Sequence, residues 1–326
     1  MRSALGLLLC SLTARGAVDG VVVNRTTGAR QGGATVTLYK LGEAGMESLE
    51  TVKSDAAGKF RMNQTPAGPH LIQAAWDGVT YNRMLPPGTP PTGIEVEVYN
   101  ATTKAAGAQA TTHMVLYEPG EGSMAINESI LFRNDSQLAY NDPKRGTLRF
   151  YLPPEAGGRA RVLATAPQGM PIERAAEKTA VANVHSVDFP IKPGETRFDI
   201  TYTVPFQSPG VMEGRVLHGG GPVRFVAPRG VTLQSAALKE IGQEPNTQAT
   251  IYELSGAEYR VEIQGSGSLR AAEGGAEEGG SSIQQIPARL YDRFWWILAL
   301  SLAILLLTFL LQYRRATAAG KKDQRR

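Results

Sequence analysis

The chain of 326 residues contains one cysteine, Cys10. Cys10 lies in the apolar part of a predicted secretory signal, so a chain without residues 1–16 has no thiol. Disulfide bonds, thiolate metal sites and cysteine nucleophiles are therefore excluded for that chain. The folded part must be held together by burial of apolar surface, which 42% hydrophobic residues can supply.

Positive charge is scarce in the part of the chain that would fold. The formal net charge is +4, but Arg2 and Arg15 lie in the predicted signal and the last 13 residues hold six basic groups and Asp323. Without these two segments, residues 17–313 carry about −3. A protein that binds nucleic acid needs an excess of positive charge to neutralise phosphates. We therefore expect no nucleic-acid partner.

Recognisable catalytic motifs are also missing. The four histidines stand singly, with no second histidine at the spacing of a zinc motif: His70, His113, His185 and His218. Three glycines follow His218, as in the oxyanion-hole segment of lipases, but no serine has the flanking glycines of the nucleophile elbow that this segment serves. We predict a protein that is not an enzyme, with no catalytic residue, no cofactor and no metal site.

One long hydrophobic run is present near the C-terminus. Residues 294–311 carry no charge, and about 20 such residues cross the ~30 Å hydrocarbon layer of a bilayer. The basic tail, residues 314–326, follows at once, and the positive-inside rule places such a tail in the cytoplasm. The pattern predicts a transmembrane helix with its flanks at residues 289–313. The protein would then be a single-pass protein of the cytoplasmic (inner) membrane, with its N-terminal ectodomain outside.

The N-terminus is typical of a secretory signal. Arg2 supplies the positive charge, an apolar core follows, and the small residues Ala14 and Gly16 precede a cleavage site before Ala17. A lipoprotein signal ending at Cys10 is the alternative, although the large side chain of Leu9 does not suit it. Residues 1–16 are thus predicted to direct the rest of the chain out of the cytoplasm.

Seven short runs between residues 17 and 102 predict a β-sandwich. Their first residues lie 8 to 16 residues apart, and the runs are bounded by Gly, Pro, Asn or Asp. The runs are residues 21–24, 35–41, 51–54, 59–63, 70–75, 79–85 and 94–99.

The same segment resembles the carboxypeptidase regulatory-like domain. Four ordered stretches carry the resemblance: GVVVNRTTG at 20–28, GATVTL at 33–38, SDAAGKF at 54–60 and AGPHLIQA at 67–74. The resemblance implies a transthyretin-like seven-strand sandwich with an accessory or binding role, as the N-terminal domain of a bacterial membrane-anchored protein. It implies no catalysis, because the peptidase active site associated with this family lies in a different domain.

The rest of the exterior reads as a short linker, a second β-rich region and a tether. Residues 103–110 are small and unpatterned, and residues 265–288 are rich in Gly and Ser, which favours a flexible segment. Residues 111–264 between them form one large sandwich or a sandwich divided near residue 210. The predicted strands are 112–117, 125–133, 147–152, 161–164, 186–191, 196–204, 223–227, 231–235, 250–254 and 259–263. The whole exterior is therefore predicted to be all-β.

The most specific candidates for ligand contact are Trp76 and Tyr81. Trp76 is the only tryptophan outside the membrane region, and the two rings could stack on a sugar; packing at the edge of the sandwich is the alternative. We predict a protein that presents β-sandwiches outside the membrane for binding, scaffolding or envelope assembly, with an envelope or membrane protein as partner. The alternatives are an envelope carbohydrate-binding module that takes a glycan and, third, a hydrolase with a site dispersed over the second region.

Overall fold

The computed structural model describes residues 18–42, 45–64, 68–105 and 107–269. The predicted signal, the transmembrane helix, the basic tail and the tether beyond residue 269 lie outside these ranges. Within them, no helix is long and apolar enough to cross a membrane. The described residues form strands, turns and one 3₁₀ turn at Pro154–Ala156. The prediction of an all-β protein is confirmed.

The described residues form 24 strands. In chain order they are β1 Val18–Asn24, β2 Ala29–Arg30, β3 Thr35–Gly42, β4 Gly45–Lys53, β5 Lys59–Met62, β6 His70–Trp76, β7 Val79–Leu85, β8 Ile94–Val98, β9 Ala101–Thr102, β10 Ala108–Pro119, β11 Ser123–Asn134, β12 Ala139–Tyr140, β13 Leu148–Tyr151, β14 Arg161–Thr165, β15 Ile172–Arg174, β16 Glu177–Lys178, β17 Val184–Val187, β18 Gly194–Pro205, β19 Gly210–Arg215, β20 Val223–Ala227, β21 Val231–Gln234, β22 Leu238–Gln243, β23 Thr250–Leu254 and β24 Glu258–Gly265.

The first sandwich contains two four-stranded sheets. In one, β1 pairs with β8 in parallel and with β5 and β2 in antiparallel fashion; the other has the order β4-β3-β6-β7. Strand β8 shows why these runs become strands, since Ile94, Val96 and Val98 are buried while Glu95 and Glu97 are exposed. Such apolar side chains form one core between the sheets. All seven predicted runs fall on strands of this sandwich.

The second region packs around one core. A central sheet has the order β15-β14-β18-β11-β10-β20-β23-β22, and two three-stranded sheets, β13-β17-β16 and β19-β24-β21, contribute to the same cluster of buried residues. That cluster includes residues before and after position 210, from Ala108 to Ile263. Strand β10 begins at Ala108, inside the predicted linker, because the small side chains of Ala108 and Ala110 fit into this core.

The two sandwiches are joined by strand pairing and by a backbone hydrogen bond between Ala139 and Asn100. Strand β9 follows the first sandwich and pairs in parallel with β12 of the second. Beside this pair, the Asn100 Oδ1 accepts hydrogen bonds from Trp76 Nε1 at 3.0 Å and from Asn24 Nδ2 at 2.7 Å. The Asn100 carbonyl accepts one from the Ala139 N–H at 2.9 Å. All described residues belong to one compact unit, so the joint fixes a defined space between the sandwiches.

Candidate functional site

A cleft of about 440 Å³ lies where the two sandwiches meet. The first sandwich contributes residues 81–84 of β7 and residues around β8, and the second contributes the turn at residues 166–169 and Lys192 with Pro193. Exposed Met84 and buried Tyr81 give the wall apolar surface, while Arg83 and Lys192 add positive charge. Concave sites with apolar walls and a few polar groups are where proteins bind ligands. We name this space the inter-sandwich cleft.

Lys192 is held at the cleft by a rigid backbone. Its neighbour Ile191 exchanges two backbone hydrogen bonds with Tyr140, at 2.9 and 3.0 Å. The buried amide of Asn134 donates a third to the Ile191 carbonyl at 3.0 Å. The Lys192 side chain extends from this fixed point to the first sandwich, where its Nζ lies 5.1 Å from the centre of the Tyr81 ring. A cation over an aromatic face gains a favourable electrostatic interaction.

The Lys192 ammonium has no counter-ion among the described residues. No carboxylate in that part of the chain lies within 4.0 Å of it. Burial without a counter-ion disfavours the charged form of an amine, and it lowers the pKa of Lys192 to about 8. Lys192 is thus a half-buried amine that faces an open cleft with its charge uncompensated.

The acidic groups of the cleft are already paired. Glu95 and Glu97 line it, and both accept a hydrogen bond from the Arg25 guanidinium, at 2.7 and 2.5 Å. These hydrogen bonds and charges raise the pKa of Arg25, Glu97 acting most strongly. Both carboxylates therefore pair with Arg25 on the first sandwich. Lys192 remains available to a ligand that enters the cleft.

The structure places the two predicted ligand-contact residues on the inner side of the first sandwich. Trp76 is half-buried against the core and donates its indole N–H to Asn100, which makes it part of the joint. Tyr81 is 5% exposed, and its hydroxyl donates to the Tyr99 carbonyl at 2.9 Å. Tyr81 lines the inter-sandwich cleft and Trp76 does not. Their contact with a ligand stays a prediction.

A second polar cluster is buried in the core of the second region. His113, Glu128 and Tyr202 come from three neighbouring strands, β10, β11 and β18. The Tyr202 hydroxyl donates to Glu128 Oε1 at 2.6 Å, and His113 Nε2 lies 3.1 Å from Glu128 Oε2. Burial, followed by the Glu128 charge, holds the pKa of Tyr202 well above its usual value. We call these three residues the buried triad.

The buried triad was not predicted from the sequence, although the residue pattern of β11 indicates it. The inward positions of β11 read Met124, Ile126, Glu128, Ile130 and Phe132, so a carboxylate interrupts an apolar series. A charged residue in such a series must find partners, because burying it alone is costly. The missing information was which strands lie on either side of β11.

Of the other histidines, His218 lines a small cavity together with His113 and Glu128 of the buried triad. The His218 Nε2 accepts a hydrogen bond from the Arg149 N–H at 2.9 Å, and burial lowers the pKa of His218 to about 4. Burial also lowers the pKa of His185, which packs on the Phe150 ring. Among the described residues, no group of three His, Cys, Asp or Glu side chains could hold a metal ion.

Comparison with known proteins assigns no family. No family model and no curated protein matches the chain. Among solved structures, the M1 zinc metallopeptidase from Deinococcus radiodurans aligns at 15% identity and a TM-score of 0.27, over 48% of this chain and 42% of that one. A mutant of it with a Tyr-Ser-Ala substrate gives 14% identity and the same TM-score, and a two-domain M1 zinc metallopeptidase mutant with L-tryptophan gives 13% and 0.26. The chain covers less than half the length of these proteins, and we draw nothing about function from a likeness this distant.

Proposed function

We propose that this protein is a non-enzymatic, single-pass protein of the cytoplasmic membrane that presents its β-sandwiches outside the membrane to bind a protein partner of the bacterial envelope. The inter-sandwich cleft is the binding feature in this proposal. The observation that carries it is the uncompensated ammonium of Lys192 in a cleft to which both sandwiches contribute. Buried charges in a finished site have partners, so this arrangement favours a partner that supplies an acidic or polar group.

The location in this proposal is supported by the sequence at the two ends of the chain. Residues 1–16 have the pattern of a secretory signal, and residues 294–311 followed by the basic tail have the pattern of a membrane anchor. An anchor confines the ectodomain to the membrane surface and raises its effective concentration toward partners there. The resemblance of residues 17–102 to the carboxypeptidase regulatory-like domain, with its transthyretin-like sandwich, agrees with a binding role.

The carbohydrate-binding alternative has less support from the geometry. Stacking on a sugar needs an exposed aromatic face. Trp76 is packed at the joint, and one face of the Tyr81 ring lies under the Lys192 ammonium. Of the other large side chains on this wall, Met84 is 46% exposed and Tyr99 is half-buried. A protein segment suits such a wall better than a sugar ring does.

Crosslinking in cells followed by mass spectrometry tests the proposed function. The tagged full-length chain is compared with an anchor-only control, residues 283–326 behind the same signal. We expect an envelope or membrane protein to be captured by the full-length chain and not by the control, because the proposed binding surface lies in the sandwiches. Capture of the same proteins by both would contradict the proposal. Capture of envelope glycan alone would favour the carbohydrate alternative.

A further inference from the structure

We propose that Lys192 is a nucleophilic lysine that condenses with a small aldehyde or ketone entering the inter-sandwich cleft. This goes beyond the proposed function and concerns the protein without its partner, because an acidic group from that partner would keep Lys192 protonated.

No carboxylate among the described residues pairs with the Lys192 amine and holds its proton. An amine attacks a carbonyl only when it is neutral, and a neighbouring carboxylate would keep it protonated. The carboxylates lining the cleft, Glu95 and Glu97, pair with Arg25 instead. The Lys192 Nζ lies 5.1 Å from the centre of the Tyr81 ring, and desolvation lowers the pKa of this amine to about 8. At neutral pH a fraction of the protein molecules therefore carries Lys192 as the neutral amine, the form that attacks a carbonyl.

A small molecule can reach Lys192 from the inter-sandwich cleft. Lys192 lies on the wall of a cleft of about 440 Å³, not inside a closed core. That volume is within the range of sites that bind small molecules. Its backbone is fixed by the hydrogen bonds at Ile191, so the amine has a limited region in which to move. A carbonyl compound that fills the cleft meets the amine directly.

The condensation of Lys192 with a carbonyl compound needs no oxidant or reductant. The nitrogen lone pair of neutral Lys192 attacks the carbonyl carbon, and the C=O π electrons move to oxygen. Proton transfer from nitrogen to oxygen gives a carbinolamine. Loss of the hydroxyl as water, with one proton from solvent, gives a protonated imine. The net change is one amine, one carbonyl compound and one proton going to one protonated imine and one water molecule.

Reductive trapping tests the proposal on the full-length protein in detergent. The protein is treated with acetaldehyde and cyanoborohydride near neutral pH, and the initial rate of alkylation at each lysine is read by peptide mass spectrometry. The exposed lysines Lys59 and Lys239 are internal references in the same sample. A pKa of about 8 raises the neutral fraction on the order of 100-fold over an ordinary lysine. Lower basicity and partial burial offset part of this, so we expect Lys192 to react about tenfold faster than the references.

The pH profile separates a nucleophilic lysine from one that is merely accessible. The rate at Lys192 should level off above about pH 8, so the ratio of its rate to those of the two references should be largest near neutral pH and fall as the pH is raised. In the variant Lys192→Arg, which keeps the positive charge, the fast alkylation at position 192 should disappear, while the rates at Lys59 and Lys239 should not change. The proposal is overturned if Lys192 reacts no faster than the references or follows their pH profile. Because these lysines are compared within one folded sample, a folding defect cannot produce the result.

Discussion

Replacing Glu128 with alanine is expected to lower the free energy of unfolding by about 3 kcal/mol or more. Glu128 is 6% exposed and is the shared partner of His113 and Tyr202. Its removal leaves both of them buried without this partner, and the Nδ1 of His113 already has no hydrogen-bond partner. Chemical denaturation of the full-length protein, followed by circular dichroism of the β-sheet signal, measures the loss.

Two further variants serve as controls for the loss of stability in Glu128→Ala. Glu128→Gln keeps the shape and can still accept the Tyr202 hydroxyl, so it should cost about 1 kcal/mol, the worth of an ordinary hydrogen bond. Glu121→Ala removes an exposed carboxylate from the turn between β10 and β11 and should change stability by less than about 0.5 kcal/mol. If Glu128→Ala were as stable as Glu121→Ala, the buried triad would not hold the core together.

Gly20→Ala is expected to disrupt the first sandwich, with a loss of about 3 kcal/mol. Gly20 lies opposite Ile94 in the parallel pairing of β1 with β8. A Cβ at position 20 would lie 2.0 Å from the Ile94 carbonyl oxygen and 2.7 Å from the Phe60 ring. A side chain can move away, but a strand backbone cannot without breaking its ladder. We therefore expect β8 to separate from β1, which shows as faster hydrogen exchange in peptides that cover both strands.

The matched control for this substitution is Gly42→Ala. Gly42 also lies in a strand, at the end of β3, and a Cβ there would meet nothing within 4 Å. Its exchange rates and stability should stay close to those of the wild type, since surface substitutions away from special features usually change stability by less than about 0.5 kcal/mol. Equal behaviour of the two variants would contradict the close approach of β1 to β8.

The strands that the sequence predicted well are those whose own residues alternate. β8, β20 and β23 carry apolar side chains at every second position or a short apolar run, and the predicted runs lie within a residue or so of the strands. Most strands left out of the prediction are short or mostly exposed: β2, β9, β12, β15, β16 and β22. Strand β19 was also left out, although it has one buried and three half-buried residues among its six. Edge strand β22 has one half-buried residue and five exposed ones. It is a strand because β23 offers it hydrogen bonds, and no pattern within residues 238–243 reveals that partner.

The candidate site was predictable in part. Tyr81 was singled out and does line the inter-sandwich cleft, but Lys192 was not, since a lone lysine before Pro193 has no distinguishing pattern. What makes Lys192 unusual is the meeting of two sandwiches, fixed by the β9–β12 pair and by the bonds between Ile191 and Tyr140. These contacts join segments far apart in the chain. Periodicity and spacing report on single elements and cannot report on such a joint.

Site-specific photocrosslinking in intact cells tests the central claim, that the inter-sandwich cleft is the binding surface, most directly. A photoreactive amino acid is placed at Met84 on the cleft wall and, in a separate strain, at Val211 on the second region, both of which are 46% exposed. The account predicts an adduct with one envelope protein from position 84, several-fold stronger than any from position 211. Equal adducts from both positions, or a strong adduct from position 211 alone, would contradict it.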